Sequence, residues 1–165
     1  MSCSIRDEAA CDADAIRGVV ERAFAGHAHS DGTEPDIVER LRRDRSPSVS
    51  LVAEDAGNIV GHIAFSPVTI DDGAIGWFGL GPVSVDPYRQ GEGIGSALCR
   101  HGLLRIREQG AMGCVVLGDP GFYARFGFAC DPALTFPGVP PEYFQRLRFG
   151  GRAPRGEVTY APAFG

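Results

Sequence analysis

The residues with most to offer chemically lie in one run, Val83-Ser84-Val85-Asp86-Pro87-Tyr88-Arg89-Gln90-Gly91-Glu92-Gly93-Ile94-Gly95-Ser96-Ala97-Leu98, in which three glycines stand at every second position. The pattern before them reads as strand and the pattern after them as helix, so the glycines fall at a strand-to-helix junction. Free of side chains, the backbone N–H groups there can converge on one concave site. The helix adds its unpaired first-turn donors and the positive end of its dipole. Gln90, Gly91, Gly93, Ile94, Gly95 and Ser96 are therefore suited to hold a pyrophosphate, with no cationic side chain required. Two other phosphate loops fail on the residues themselves. A Walker loop needs Gly-Lys-[Ser/Thr], and all 16 basic residues of this chain are arginine. A dinucleotide fingerprint, G-x-G-x-x-[G/A], fails where Ser96 or Leu98 stands in its last position. A loop that merely turns tightly is the remaining alternative.

Other residue types that could do chemistry are scattered. His27 and His29, with Ser30 and Asp31, are of ligand type, but the sequence shows no converging partners and no metal is expected. Glu54 and His62 are candidate proton acceptors, with a place on a sheet face as the plain structural alternative for each. The five cysteines (Cys3, Cys11, Cys99, Cys114, Cys130) share no Cys-x-x-Cys spacing and read as reduced structural thiols. The absence of lysine rules out Schiff-base chemistry. A net charge of −5, without a dense basic cluster, speaks against a nucleic-acid partner. The apolar stretches are strand-sized and the first residues lack the basic and apolar runs of a signal peptide, so no membrane partner and a cytoplasmic location are expected.

These residues need elements to position them. A length of 165 residues, 44% of them hydrophobic and 22% charged, fits one globular domain over 1–165. A short strand is expected over 4–8, then a helix capped by Asp12 that runs to Phe24 with Ile16, Val19, Val20, Ala23 and Phe24 at helical spacing. Thr33-Glu34-Pro35-Asp36 reads as a capping box opening a second helix to about Asp44. Strands follow over 49–54, 59–70 and 77–85, the first two joined by the turn 55–58. The glycine loop leads into a helix to about Gln109, with Ala97, Leu98, Leu103, Leu104 and Ile106 on its apolar side. Cys114–Leu117 is a short buried strand, 120–126 a turn or two of helix, 143–149 an alternating strand and 157–161 a last one. The order β-α-α-β-β-β-α-β-α-β-β is that of an α+β sheet with one central crossover.

With the elements in place, the sequence resembles the GCN5-related N-acetyltransferase (GNAT) superfamily. Gln90-x-x-Gly93-x-Gly95 matches its [Arg/Gln]-x-x-G-x-[G/A] acetyl-CoA motif, preceded by Val85-Asp86-Pro87 and followed by an apolar helix, as in that family. Leu117-Gly118-Asp119-Pro120-Gly121-Phe122-Tyr123-Ala124-Arg125-Phe126-Gly127-Phe128 is similar to its strand, short helix and Tyr-x-x-x-Gly-Phe segment. The likeness spans almost the whole chain, and leans toward a bacterial branch of predicted N-acetyltransferases of unassigned substrate. Many relatives carry an asparagine where Gly118-Asp119-Pro120 stands, so contacts of that asparagine do not transfer.

The resemblance implies a mixed, mostly antiparallel central sheet flanked by helices, with a cofactor cleft where the family's fourth and fifth strands splay apart. It implies acetyl-CoA as cosubstrate, its pantetheine amides bonded to the free edge at Val83 and Val85, its thioester near Tyr123, and an oxyanion donor in the backbone near Val83. Tyr123 suits the acid that protonates the departing thiolate, since a phenol stays protonated at neutral pH. Packing beside Phe122 and Phe126 is its alternative. The family-like arrangement also puts Glu34 on the acceptor side, to bind or deprotonate an amine, with helix capping in the 33–36 box as its alternative. The acceptor is expected to be a primary amine on a small molecule or a polypeptide, and a homodimer stays open. A non-catalytic module that binds acyl-CoA as a sensor is the rival reading.

Overall fold

The structure is a computed structural model that describes residues 3–26, 30–44 and 48–164. Along the chain run β1 (Ser4–Asp7), α1 (Ala13–Phe24), α2 (Glu34–Arg43), β2 (Val49–Asp55), β3 (Asn58–Pro67), β4 (Thr69–Ile70), β5 (Trp77–Val85), α3 (Ile94–Glu108), β6 (Gly113–Leu117), α4 (Pro120–Tyr123), β7 (Leu134–Thr135), β8 (Phe144–Arg148) and β9 (Gly156–Thr159). The main sheet has six strands in the order β1-β2-β3-β5-β6-β8. Each neighbouring pair is antiparallel except β5 and β6, which α3 joins as a crossover. This is the α+β arrangement expected from the sequence. Because the two-residue β4 intervenes, the cleft expected between a fourth and a fifth strand falls here between β5 and β6.

Burial explains the layers. In α1, Ile16, Val19 and Val20 recur at helical spacing, are fully buried, and pack with Val38 of α2 and Val52 of β2. The other face of the sheet takes α3, whose Ile94, Leu98, Cys99, Leu103 and Ile106 join Leu51, Ile63, Phe65, Leu80, Cys114 and Val116 in the main core. Leu104, read as part of that apolar side, instead points outward at 58% exposure, because one residue beyond Leu103 is a rotation of about 100° around the helix, off the stripe defined by its neighbours.

Four local readings need correction. The run 59–70 is not one strand: β3 ends at Pro67, and β4 leaves for a second, three-stranded sheet of order β4-β9-β7. The last strand, read over 157–161, belongs to that sheet too, and β7 carried no periodic signal at all. Asp12 does not cap α1 through its side chain; its carboxylate takes two bonds from Arg6 (2.7 and 3.1 Å) and the N–H of Ala9 (2.7 Å). Likewise Thr33 makes no side-chain cap: its hydroxyl donates to Asp31 at 2.5 Å, and Glu34 accepts from Ser30 at 2.6 Å. In both cases a nearer charged or hydroxyl partner wins the polar group from the helix end.

Candidate functional site

The strand that leads into the glycine loop loses one neighbour before it ends. β5 and β6 are in register from Trp77 opposite Gly113 to Leu80 opposite Val116, and no further. Beyond that, Val83, Ser84 and Val85 stay paired with Ile63, His62 and Gly61 of β3. Asp86 N–H donates to the Val60 carbonyl at 2.8 Å. Since bonding pairs alternate along an antiparallel ladder, this assigns the bonded pair to His62 and Ser84 and turns the amides and carbonyls of Val83 and Val85 away from β3, toward the open side. The Val85 carbonyl is already occupied, by the Gln90 side chain at 3.1 Å. Gln90 thus fastens the loop back onto the strand.

The loop is held from several directions. Asp86 accepts the Tyr88 N–H at 3.1 Å and the Arg22 guanidinium of α1 at 3.0 Å. Arg89 reaches Asp55 at 2.8 Å and Glu92 at 3.0 Å. Within this frame the three glycines differ. Gly91 and Gly93 have φ of 83° and 86°, a left-handed backbone that side chains disfavour. Gly95 is helical, and a Cβ there would lie 3.6 Å from Val85 and 3.8 Å from Phe122, in ordinary contact. The first bond of α3 runs from Ala97 N–H to the Gly93 carbonyl at 3.0 Å, which leaves the amides of Ile94, Gly95 and Ser96 without a helical acceptor. The Ile94 side chain is 1% exposed in the core, so it anchors the helix end while its amide faces out. The result is a compact cradle of donors suited to an anion beside a free strand edge.

Across from it, Asp119 opens α4 by accepting the Gly121 N–H at 3.0 Å. Tyr123 at its end is 7% exposed, edge-on to Phe122 and Phe128 with centroids 5.0 and 5.9 Å away. A Cβ at position 118 would run into the Tyr123 ring, so glycine there is what lets the ring lie against the end of β6. The Gly118 carbonyl accepts from the buried Gln145 side chain at 3.1 Å. Burial pushes the Tyr123 phenol well above its usual range, with the nearby Cys99, Cys114 and Asp119 adding to the shift. Its hydroxyl has no hydrogen-bond partner among the described residues.

The three carboxylate and imidazole candidates are not brought to Tyr123. Glu54 is held by Arg6 at 2.7 Å on β2, beside the outermost strand. Glu34 lines a recess of about 250 Å³ between α1 and α2, together with Glu21, Phe24 and Ser30. His62 is fully buried; since Gly61 faces Ile94 and Leu98 of α3, His62 faces the opposite side of the sheet from Tyr123. Its Nε2 lies 2.9 Å from Ser50 Oγ, which donates to Glu8 at 2.9 Å, and burial lowers its pKa to about 4. His27 and His29 lie outside the described residues; among those described, no group of three or more His, Cys, Asp or Glu is placed to hold a metal ion. Among the described residues no helix is long and apolar enough to cross a membrane. One residue that sequence reasoning passed over stands at the cradle: Arg125 Nη1 donates to Ser96 Oγ at 3.2 Å. Its place in the Tyr-x-x-x-Gly-Phe segment, two residues after Tyr123, was the only signal available.

Comparison with known proteins points the same way. The acetyltransferase (GNAT) domain family matches residues 46–130. The uncharacterized N-acetyltransferase YhbS of Escherichia coli (strain K12) is 38% identical over 125 residues, covering 75% of this chain and 72% of that protein. Among solved structures, a GNAT family acetyltransferase from Brucella melitensis in complex with acetyl-CoA is 50% identical with a TM-score of 0.89, covering 99% of this chain and 98% of that one. The structure of Escherichia coli YhbS in complex with CoA is 32% identical with a TM-score of 0.90, covering 99% of this chain and 92% of that one.

Proposed function

The chain belongs to the GNAT acetyltransferase family, and from that premise we propose that it moves an acetyl group from acetyl-CoA to a primary amine, carried by a small molecule or a polypeptide. The observation that carries this reading is the donor cradle at the start of α3, set beside the unpaired edge of β5. The residues fit the cosubstrate: free amides at Ile94, Gly95 and Ser96 suit a pyrophosphate, and the outward carbonyl of Val83 and N–H of Val85 suit the amides of a pantetheine arm. When bound, acetyl-CoA supplies an activated acyl carbonyl and a thiolate leaving group.

In this reading each residue has a task. Gly91 and Gly93 give the loop its left-handed turns, and Gln90 closes the loop onto Val85 so that the helix amides stay aimed at the phosphates. The N–H of Val83 donates to the acyl oxygen as negative charge collects there. Tyr123 holds its proton until the C–S bond breaks and then gives it from Oη to sulfur, and the proton shed by the acceptor nitrogen, passed directly or through water, restores the phenol. A phenol kept protonated by burial, with no competing partner among the described residues, is suited to that step. The rival reading, a binding module without turnover, has no observation in its favour, whereas the chain's family is one of transferases.

A panel of primary amines, from polyamines and amino sugars to peptides with free N-termini, offered with acetyl-CoA and followed by thiol release, tests the proposal. Turnover with one class and not the others identifies the acceptor. Tight CoA binding without turnover across the whole panel would reinstate the binding module.

A further inference from the structure

We infer that Arg125 and Arg100 form a phosphoryl clamp at the start of α3 that grips a phosphate of the coenzyme and selects for its charged end; the inference rests on the acetyl-CoA reading above. Ser96 stands in the first turn of α3, and Arg100 lies four residues on, over the same face. Arg125 arrives from the turn after α4 and donates to Ser96 Oγ at 3.2 Å. Both guanidiniums rest on aromatic rings: Arg125 over Phe122 with 4.5 Å to the centroid, Arg100 over Phe126 with 5.2 Å. Phe122 in turn lies at contact distance from a Cβ position on Gly95, so the ring, the guanidinium and the cradle adjoin. The Cys99 thiol beneath them is pushed up to about 12 by burial, and the same two arginines are the charges that oppose the shift.

What sets this pair apart is charge. The neighbouring arginines are neutralised: Arg89 by Asp55 and Glu92, Arg22 by Asp86. Among the described residues no carboxylate forms an ion pair with Arg100 or Arg125. A chain of net charge −5 thus keeps two guanidiniums unmatched beside an anion cradle. The helix end supplies only about half a positive charge, far short of a pyrophosphate and a terminal phosphate. A planar guanidinium can give two parallel N–H bonds to phosphoryl oxygens, and stacking on a ring orients that fork before the ligand arrives.

Calorimetry with CoA and with 3′-dephospho-CoA tests the clamp in the wild type, Arg125→Gln, Arg125→Lys and the double change Arg100→Gln/Arg125→Gln. Arg125→Gln should weaken CoA binding about tenfold to a hundredfold, the usual range for a hydrogen bond to a charged group, and the double change should weaken it further. Arg125→Lys should recover only part, because an ammonium cannot reproduce the fork. Melting temperatures and the affinity for pantetheine, which has no phosphate to read, should not move. A loss that disappears with 3′-dephospho-CoA assigns the clamp to the 3′-phosphate; an equal loss with both ligands assigns it to the pyrophosphate. Wild-type CoA affinity in the folded double variant would overturn the clamp and leave the acetyl-CoA reading standing. Failure of the wild type to bind CoA would overturn that reading itself.

Discussion

At the residue scale, the chemistry turns on which polar groups are free and which are spent. Tyr123 Oη is free, and Tyr123→Phe should lower turnover by about 10²-fold, the lower end for a lost general acid. The loss should fall on kcat more than KM, because the proton moves only as the bond to sulfur breaks. Wild-type turnover in Tyr123→Phe, with chemistry rate-limiting, would make the residue a packing aromatic. His62 is the opposite case, a buried ring whose Nε2 is tied through Ser50 to the Glu8–Arg42 pair. Its folded pKa of about 4 lies below the usual 6.5. The unfolded chain therefore takes up a proton between those values while the folded chain does not. Stability should fall as pH drops through that window, by about 1.4 kcal/mol per pH unit. His62→Gln should flatten the slope in urea titrations at pH 4.5, 5.5 and 6.5; an unchanged slope would show the ring titrating freely. The glycine loop was legible from residue types and spacing, and the Tyr-x-x-x-Gly-Phe segment from its likeness to the family. The reach of Arg125 to Ser96 was not, since 29 positions separate them and neither type is unusual.

At the scale of elements, α3 and its lead-in show why three evenly spaced glycines are not interchangeable. Gly93 carries a left-handed backbone, so Gly93→Ala strains the turn itself and should cost roughly 1–2 kcal/mol of stability. Gly95→Ala meets only ordinary contacts in a helical position and should keep or slightly raise the melting temperature. If the amides around it hold the pyrophosphate, the added methyl should still weaken CoA binding. Differential scanning calorimetry paired with CoA titration separates the two effects; equal thermal loss for both variants would show that the φ difference carries no weight. Periodicity and turn residues made the main elements legible, including the 55–58 hairpin and the crossover helix. Caps were misread at Asp12 and Thr33 because a side chain's choice between a helix end and a nearby guanidinium or carboxylate is tertiary, and the sequence window does not contain the competitor.

At the scale of the whole molecule, two-residue strands escaped notice because they are too short for any period to register. β4 and β7 exist only because β9 comes between them, and β9 brings Val158 (1% exposed) into a cluster with Trp77, Val115 and Phe144. Val158→Ala should therefore cost about 2 kcal/mol, measurable in denaturant, while CoA affinity stays unchanged. A change under 0.5 kcal/mol would mean that the small sheet is decoration. The pairing of Thr69 with Thr159 also imposes a timetable. At about 5–20 residues per second of synthesis, β4 waits on the order of ten seconds for its partner. During that interval the nascent chain offers a bare strand edge beside an open apolar cluster. A stalled ribosome or an early proteolytic clip would make the interval permanent, giving a product whose glycine loop is complete but whose exposed edge invites aggregation.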